Sequence, residues 1–245
     1  LRQSTQVARP SAWTLQAVID AIVYVGLAGG AVDGLHPPFG GVRVIIVVRV
    51  RLAVPLIDYV PYGEAASEVR EALADSAYAE SEDRHLFYEL LSNADVVLPA
   101  RAAYFKTMMR EGAVPLREKE LAYFTVAVLT DTRFVAATHG RYLVEDHGFD
   151  PEGVAALAAG DRSGLPAREE AVVEFARTAT RRPADVDEAM LDALRETGYE
   201  DGQIVELLLL IGDARTATTI VTAMGIELAD RGETEPEFLP ETFGL

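Results

Sequence analysis

The 245-residue chain is predicted to be all-α. No stretch after residue 60 alternates apolar and polar residues with the period of two that a half-buried strand needs. Apolar residues recur at helical spacing instead, and Pro, Gly, Asp and Thr fall at the ends of those stretches, where helices start and stop. Neither a tandem repeat nor a low-complexity tract interrupts this pattern.

Glu64 to Ala74 reads as a first amphipathic helix, and Asp83 to Asn93 as a second whose apolar face is Leu86, Tyr88, Leu90 and Leu91. Leu98 to Glu111 is the third, with Pro99 in its first turn and Gly112 just past its end. Pro115 opens the fourth, Leu116 to Leu129. Its centre, LAYFTVAVL, is apolar nearly all round and belongs inside a core or a subunit interface. Asp131 or Thr132 suits the cap of the fifth helix, which runs to about His147 and stops at Gly148. Asp150-Pro151-Glu152 starts a short helix that ends by Gly160. Leu165-Pro166 opens Ala167 to Thr180, and Asp187 to Thr197 follows. The last helix is expected over Asp201 to Asp230. Gly212 within it costs about 1 kcal/mol relative to Ala, which predicts close packing or a kink there. The Pro- and Glu-rich end, GETEPEFLPETFGL, reads as extended.

Charge divides the chain. Residues 1–51 hold five Arg and two Asp, whereas the remaining 194 residues hold 37 acidic and 17 basic residues, a net charge of −20. The first segment keeps neither a clean 3.6 nor a clean 2.0 period, and Asp20 interrupts the apolar run that a signal peptide or a membrane span would need. The first Met is Met108, which fits an upstream extension of the reading frame. Three regions are therefore expected: a poorly ordered extension over 1–51, a working helical domain over 52–230 and an acidic tail over 231–245. Only Lys106 and Lys119 are lysines. An Asp/Glu-rich, Lys-poor surface suits a salt-loving host, where high ionic strength screens self-repulsion. The same charge repels phosphates and argues against nucleic-acid binding. The chain has no cysteine, so no disulfide reports on compartment, and a cytoplasmic location is the default expectation.

The chemistry-bearing stretch is Glu120 to His147, ELAYFTVAVLTDTRFVAATHGRYLVEDH. Two antiparallel helices joined by a short turn at Thr130 to Thr132 set residues equidistant from the turn opposite one another. Glu120 lies about eleven residues before that turn and His139 about eight after it. Their heights then differ by roughly one helical turn, within reach of two long side chains. A carboxylate facing an imidazole holds one tautomer and one orientation, as proton transfer near neutral pH requires. Tyr142 and Val135 share the His139 face of their helix. Equally, a glutamate and a histidine inside an all-α core satisfy each other as a purely structural pair. His147, at a helix end, is explained by the helix dipole. Metal binding is not expected: His139 and His147 are two turns apart, roughly 12 Å by helical rise, too far to share one ion directly.

This stretch resembles the active-site hairpin of the AhpD-like and carboxymuconolactone decarboxylase family. There a glutamate lies twelve residues before the first cysteine of a C-x-x-C pair, and a histidine four residues after the second. Glu120 and His139 match the two polar members, while Thr132 and Val135 stand where the thiols would be. Pro166-Ala-Arg-Glu-Glu-Ala-Val-Val-Glu-Phe-Ala and Gly202 to Leu228 resemble further family elements, so the likeness spans roughly Ala53 to Asp230. The resemblance implies an AhpD-like helical bundle that assembles as a homo-oligomer, a trimer or hexamer. It also implies acid/base chemistry by His139, oriented by Glu120, on a small carboxylated or lactone-type molecule. Thr132, Val135, Thr138 and Tyr142 would line the pocket, with no cofactor. Thr138-His139 departs from the adjacent histidine pair of many members. Thiol-based peroxide reduction is excluded on chemical grounds, because it needs a thiolate and a resolving thiol.

Overall fold

Pro115 starts the helix around which the others gather. Its backbone is extended (φ −57°, ψ 140°), and its carbonyl accepts the amides of Glu118 and Lys119, beginning the helical ladder. The computed structural model describes residues 56–75 and 86–244. The expected poorly ordered extension over 1–51 lies outside the described residues, as does the start of the second helix. Nine α-helices are described: α1 (Ser67–Ala74), α2 (Leu86–Leu91), α3 (Leu98–Lys106), α4 (Leu116–Leu129), α5 (Arg133–Glu145), α6 (Pro151–Ala158), α7 (Ala167–Arg181), α8 (Glu188–Glu196) and α9 (Asp201–Met224). No strand occurs among the described residues.

Helix α4 is buried continuously from Glu118 to Val128 and packs against α5, α7 and α9, as its all-round apolar sequence requires. The hairpin to α5 closes at Asp131, whose φ of 51° is left-handed and is tolerated because Asp is among the few residues that visit that region. Thr132 N then donates to Ala127 O at 2.9 Å, reversing the chain. Arg117-Glu118 of α4 and Arg168-Glu169 of α7 pair crosswise, Arg117 with Glu169 and Arg168 with Glu118, each at 2.7 Å. One hydrophobic core runs through α4, α5, α7 and α9, and a smaller cluster of Ala65, Val69, Tyr88 and Leu98 joins α1, α2 and α3.

Three local expectations differ from what is found. The third helix is α-helical only to Lys106 and continues as a π-turn over Thr107–Glu111. The buried Lys119 Nζ donates to the Met108 carbonyl at 2.5 Å and pairs with Glu206 at 2.7 Å, and Glu206 in turn accepts the amides of Ala113 and Val114. A Cβ on Gly112 would lie 2.1 Å from Glu206 Oε1, so this turn needs glycine. Helix α9 stops at Met224 rather than Asp230, because Gly225 adopts φ 71° and ends the ladder. Gly212 is exposed on α9, and a Cβ there would meet nothing within 4 Å, so no close packing among the described residues explains it.

The tail folds back on the bundle. Leu239 and Phe243 are buried in the main core, and Arg133 and Arg141 of α5 pair with Glu235 and Glu233. Phe238 lies against Gly140, where a Cβ would come within 2.6 Å of its ring.

Candidate functional site

Two turns of helix decide the geometry. Glu120 lies in the second turn of α4 and His139 midway along α5, and the antiparallel hairpin brings Glu120 Oε2 to 2.5 Å from His139 Nδ1. The groups are 2% and 6% exposed. A carboxylate is acceptor-only, so Nδ1 carries the proton and donates it to Glu120, leaving the Nε2 edge of the ring for other work. Tyr123, one turn beyond Glu120 on α4, stacks on the imidazole with ring centroids 3.9 Å apart and an interplanar angle of 21°. Tyr142 meets the same ring edge-on at 5.9 Å. These contacts hold the imidazole plane as well as its tautomer.

His139 lines a cavity of about 50 Å³, together with Val135 and Thr138 from its own helix. Phe87, Phe105 and Phe134 supply much of the remaining wall. That room suits a few water molecules or a molecule of a few heavy atoms. Glu120 instead borders a larger cavity of about 540 Å³ shared with Tyr142, Asp146 and His147. The ion pair therefore forms part of the partition between two cavities, with the imidazole facing one and the carboxylate the other.

The residues picked out from sequence separate accordingly. Val135, Thr138 and His139 meet at the small cavity, and Glu120 stands behind His139. Thr132 and Tyr142 do not line it. Thr132 is buried at the hairpin turn, where its hydroxyl is engaged with the Thr130 and Thr222 hydroxyls at 3.1 and 3.2 Å. It occupies the N-cap position of α5 without accepting a helix amide through its side chain. Tyr142 points to the larger cavity, one turn beyond His139.

Sequence reasoning missed a second buried polar group at the same cavity. Arg101 of α3 donates through Nη2 to both carboxylate oxygens of Asp213 on α9, at 3.1 and 3.2 Å, and Tyr123 Oη donates to Asp213 Oδ2 at 3.1 Å. Burial raises the Asp213 carboxyl above its ordinary value, opposed by the positive charge of Arg101. Burial and the neighbouring Asp213 push the Tyr123 phenol well above its usual range, and burial takes Tyr88 up to about 12. Both phenols are thus neutral, and Tyr123 is the donor to Asp213. A lone Asp in LLLLIGDART and a lone Arg in LPARAAYF were the available signals, but their pairing spans 112 positions and leaves no periodic trace. Among the described residues no group of three or more His, Asp or Glu converges as a metal site. No described helix is long and apolar enough to cross a membrane.

No family model matches the chain, and no curated protein matches it. Solved structures do. An uncharacterized peroxidase-related protein with an alkylhydroperoxidase AhpD core from Ralstonia eutropha JMP134 is 18% identical, covers 71% of this chain and 90% of its own, and superposes with a TM-score of 0.59. An uncharacterized peroxidase-related protein from Silicibacter sp. TM1040 is 21% identical, covers 58% of this chain and 74% of its own, and gives a TM-score of 0.52. The chain therefore has an AhpD-like, all-α fold, and it carries no cysteine. At these identities the likeness speaks for architecture, not for reaction.

Proposed function

We propose that the chain is a cysteine-free, carboxymuconolactone decarboxylase-like lyase that acts on a small carboxylated or lactone-type substrate through acid/base chemistry at His139. The observation that supports this most is the buried Glu120–His139 pair whose imidazole, stacked on Tyr123, also borders a cavity. In decarboxylation of a β-keto acid, the C–C bond to the carboxylate breaks, carbon dioxide leaves, and its electron pair passes to the ketone oxygen as an enolate. Protonated His139 gives its Nε2 proton to that enolate and is reprotonated from solvent. Glu120 balances the imidazolium and holds the ring in place. In lactone opening neutral His139 acts first as base: Nε2 takes a proton from water, the water oxygen bonds to the carbonyl carbon, and the proton passes to the ring oxygen as its C–O bond breaks. Val135 and Thr138 line the substrate space in this reading, while Thr132 and Tyr142 support the hairpin and the far side of the pair.

The experiment is a turnover screen over short β-keto acids and lactones with the wild-type chain, His139→Ala and Glu120→Gln. Loss of turnover in His139→Ala, with a smaller loss in Glu120→Gln, is expected. Equal turnover in all three removes the assigned roles. A non-catalytic, ligand-binding helical oligomer is the second reading. Self-association is part of both, and it is favoured by the outer face of α9, where Val205, Leu208 and Leu209 are 55%, 43% and 52% exposed beside Gly212. Leu209→Lys is expected to lower the mass found by size-exclusion chromatography with light scattering from a trimer or hexamer. A monomeric wild-type chain contradicts this.

A further inference from the structure

We propose that Arg101 is the anchor for a substrate carboxylate in the His139 cavity, which makes a short-chain monocarboxylate the substrate class of this site. The inference deepens the acid/base reading and rests on the same cavity.

Four observations carry it. The first is a donor with spare capacity: Arg101 Nη2 is committed to Asp213, while Nη1 is buried with no geometric hydrogen-bond partner among the described residues, the neutral Tyr88 phenol being the other polar group that interacts with the guanidinium. A buried guanidinium N–H without an acceptor is penalised, and an arriving carboxylate relieves the penalty. The second is the charge of the wall. In a chain of net charge −17, no acidic residue is among the described residues lining this cavity, and Arg101 is the one permanently charged residue among them. Third, the guanidinium is fixed before any ligand arrives: its carbon sits 5.2 Å from the Phe87 ring centroid and 5.6 Å from that of Phe105, and Asp213 holds its other end. The fourth links anchor to chemistry. Asp213 accepts from Tyr123, and Tyr123 stacks on His139, so a single chain of contacts sets Arg101 and the imidazole relative to each other. The apolar remainder of the wall and the volume of about 50 Å³ limit the rest of the ligand to a few carbon atoms.

Calorimetric titration of the full chain with butyrate and with butyramide, which match in shape and differ in charge, tests this directly. Butyrate is expected to bind about tenfold or more tightly than butyramide, the worth of one charge-assisted contact. Arg101→Gln is expected to abolish the preference. Since Arg101→Gln leaves Asp213 without its ion pair and risks unfolding, Arg101→Lys is the second variant. It keeps the charge opposite Asp213 but has no planar fork, and is expected to lower butyrate affinity severalfold without losing the folded state. Equal binding of the two probes by the wild-type chain, no binding of butyrate at millimolar concentration, or an undiminished preference in either folded variant overturns the proposal. The same titration on His139→Ala separates this inference from the one beneath it. A preserved butyrate preference with no turnover of any substrate by the wild-type chain leaves the anchor and removes the lyase. Turnover of a short β-keto acid with KM unchanged in Arg101→Lys does the reverse.

Discussion

Glu118 and Lys119, in the first turn of α4, differ from their neighbour Glu120 in what lies beyond their partners. Glu118 is clamped between Arg168 and the Tyr199 hydroxyl, which burial and Glu118 together push far above the usual phenol range. Lys119 is 1% exposed and ends on the Met108 and Met109 carbonyls and Glu206. Both charges meet partners that tie them to other parts of the chain: α7, the segment before α9, the π-turn and α9 itself. Glu120 meets an imidazole whose other edge borders a cavity. Three buried charges in sequence thus divide into two that hold helices together and one whose partner borders a cavity. Burial alone does not mark a site; what the partner faces does.

That contrast makes ordered predictions. Lys119→Met removes the cation from a buried cluster, leaving two carbonyls without this donor and Glu206 without its countercharge, with an expected loss of about 3–5 kcal/mol in urea unfolding. A loss under 1 kcal/mol would show that the π-turn does not depend on this pair. Gly140→Ala drives a methyl into the Phe238 ring on the tail side of α5. The expected loss is about 1–3 kcal/mol, with little change at the Glu120–His139 pair on the neighbouring face. A preserved melting temperature would mean that the tail is not seated there.

Asp213 gives the smallest effect and the most informative sign. Its folded-state carboxyl lies above the ordinary value of 3.8, so its contribution to stability is present below that value and is lost as pH rises through the raised one. Asp213→Asn cannot titrate. The stability of that variant relative to wild type should therefore increase as pH rises from about 3.5 through the raised value and then level off, read from melting curves across pH. A difference that is flat, or that falls with pH, contradicts a burial-dominated Asp213.

Helix α4 was readable to the residue because every cue is local: Pro115 before it, an apolar centre, and the Thr130 to Thr132 turn after it. The pairing of Glu120 with His139 followed from counting along a hairpin, since an antiparallel pair converts sequence distance into height. The π-turn at Thr107–Glu111 had no such cue, because Lys119 and Glu206 engage it from other helices. Helix α9 was read too long because IVTAMGIEL stays apolar past Gly225, and hydrophobicity outweighed the stop signal that the left-handed glycine supplies. Thr132 was given to the pocket by its place in a motif, whereas its own hydroxyl chemistry ties it to the turn. Arg101 and Asp213 were illegible for the plainest reason: nothing local brings α3 to α9.

The measurement closest to the central claim is the rate of decarboxylation of a short β-keto acid by the wild-type chain and by His139→Gln, with melting curves of both. An imidazole that transfers a proton at the cavity predicts a loss of about 10²- to 10⁴-fold with the folded state intact. Equal rates in two equally folded proteins would contradict it and return Glu120 and His139 to the company of Glu118 and Lys119.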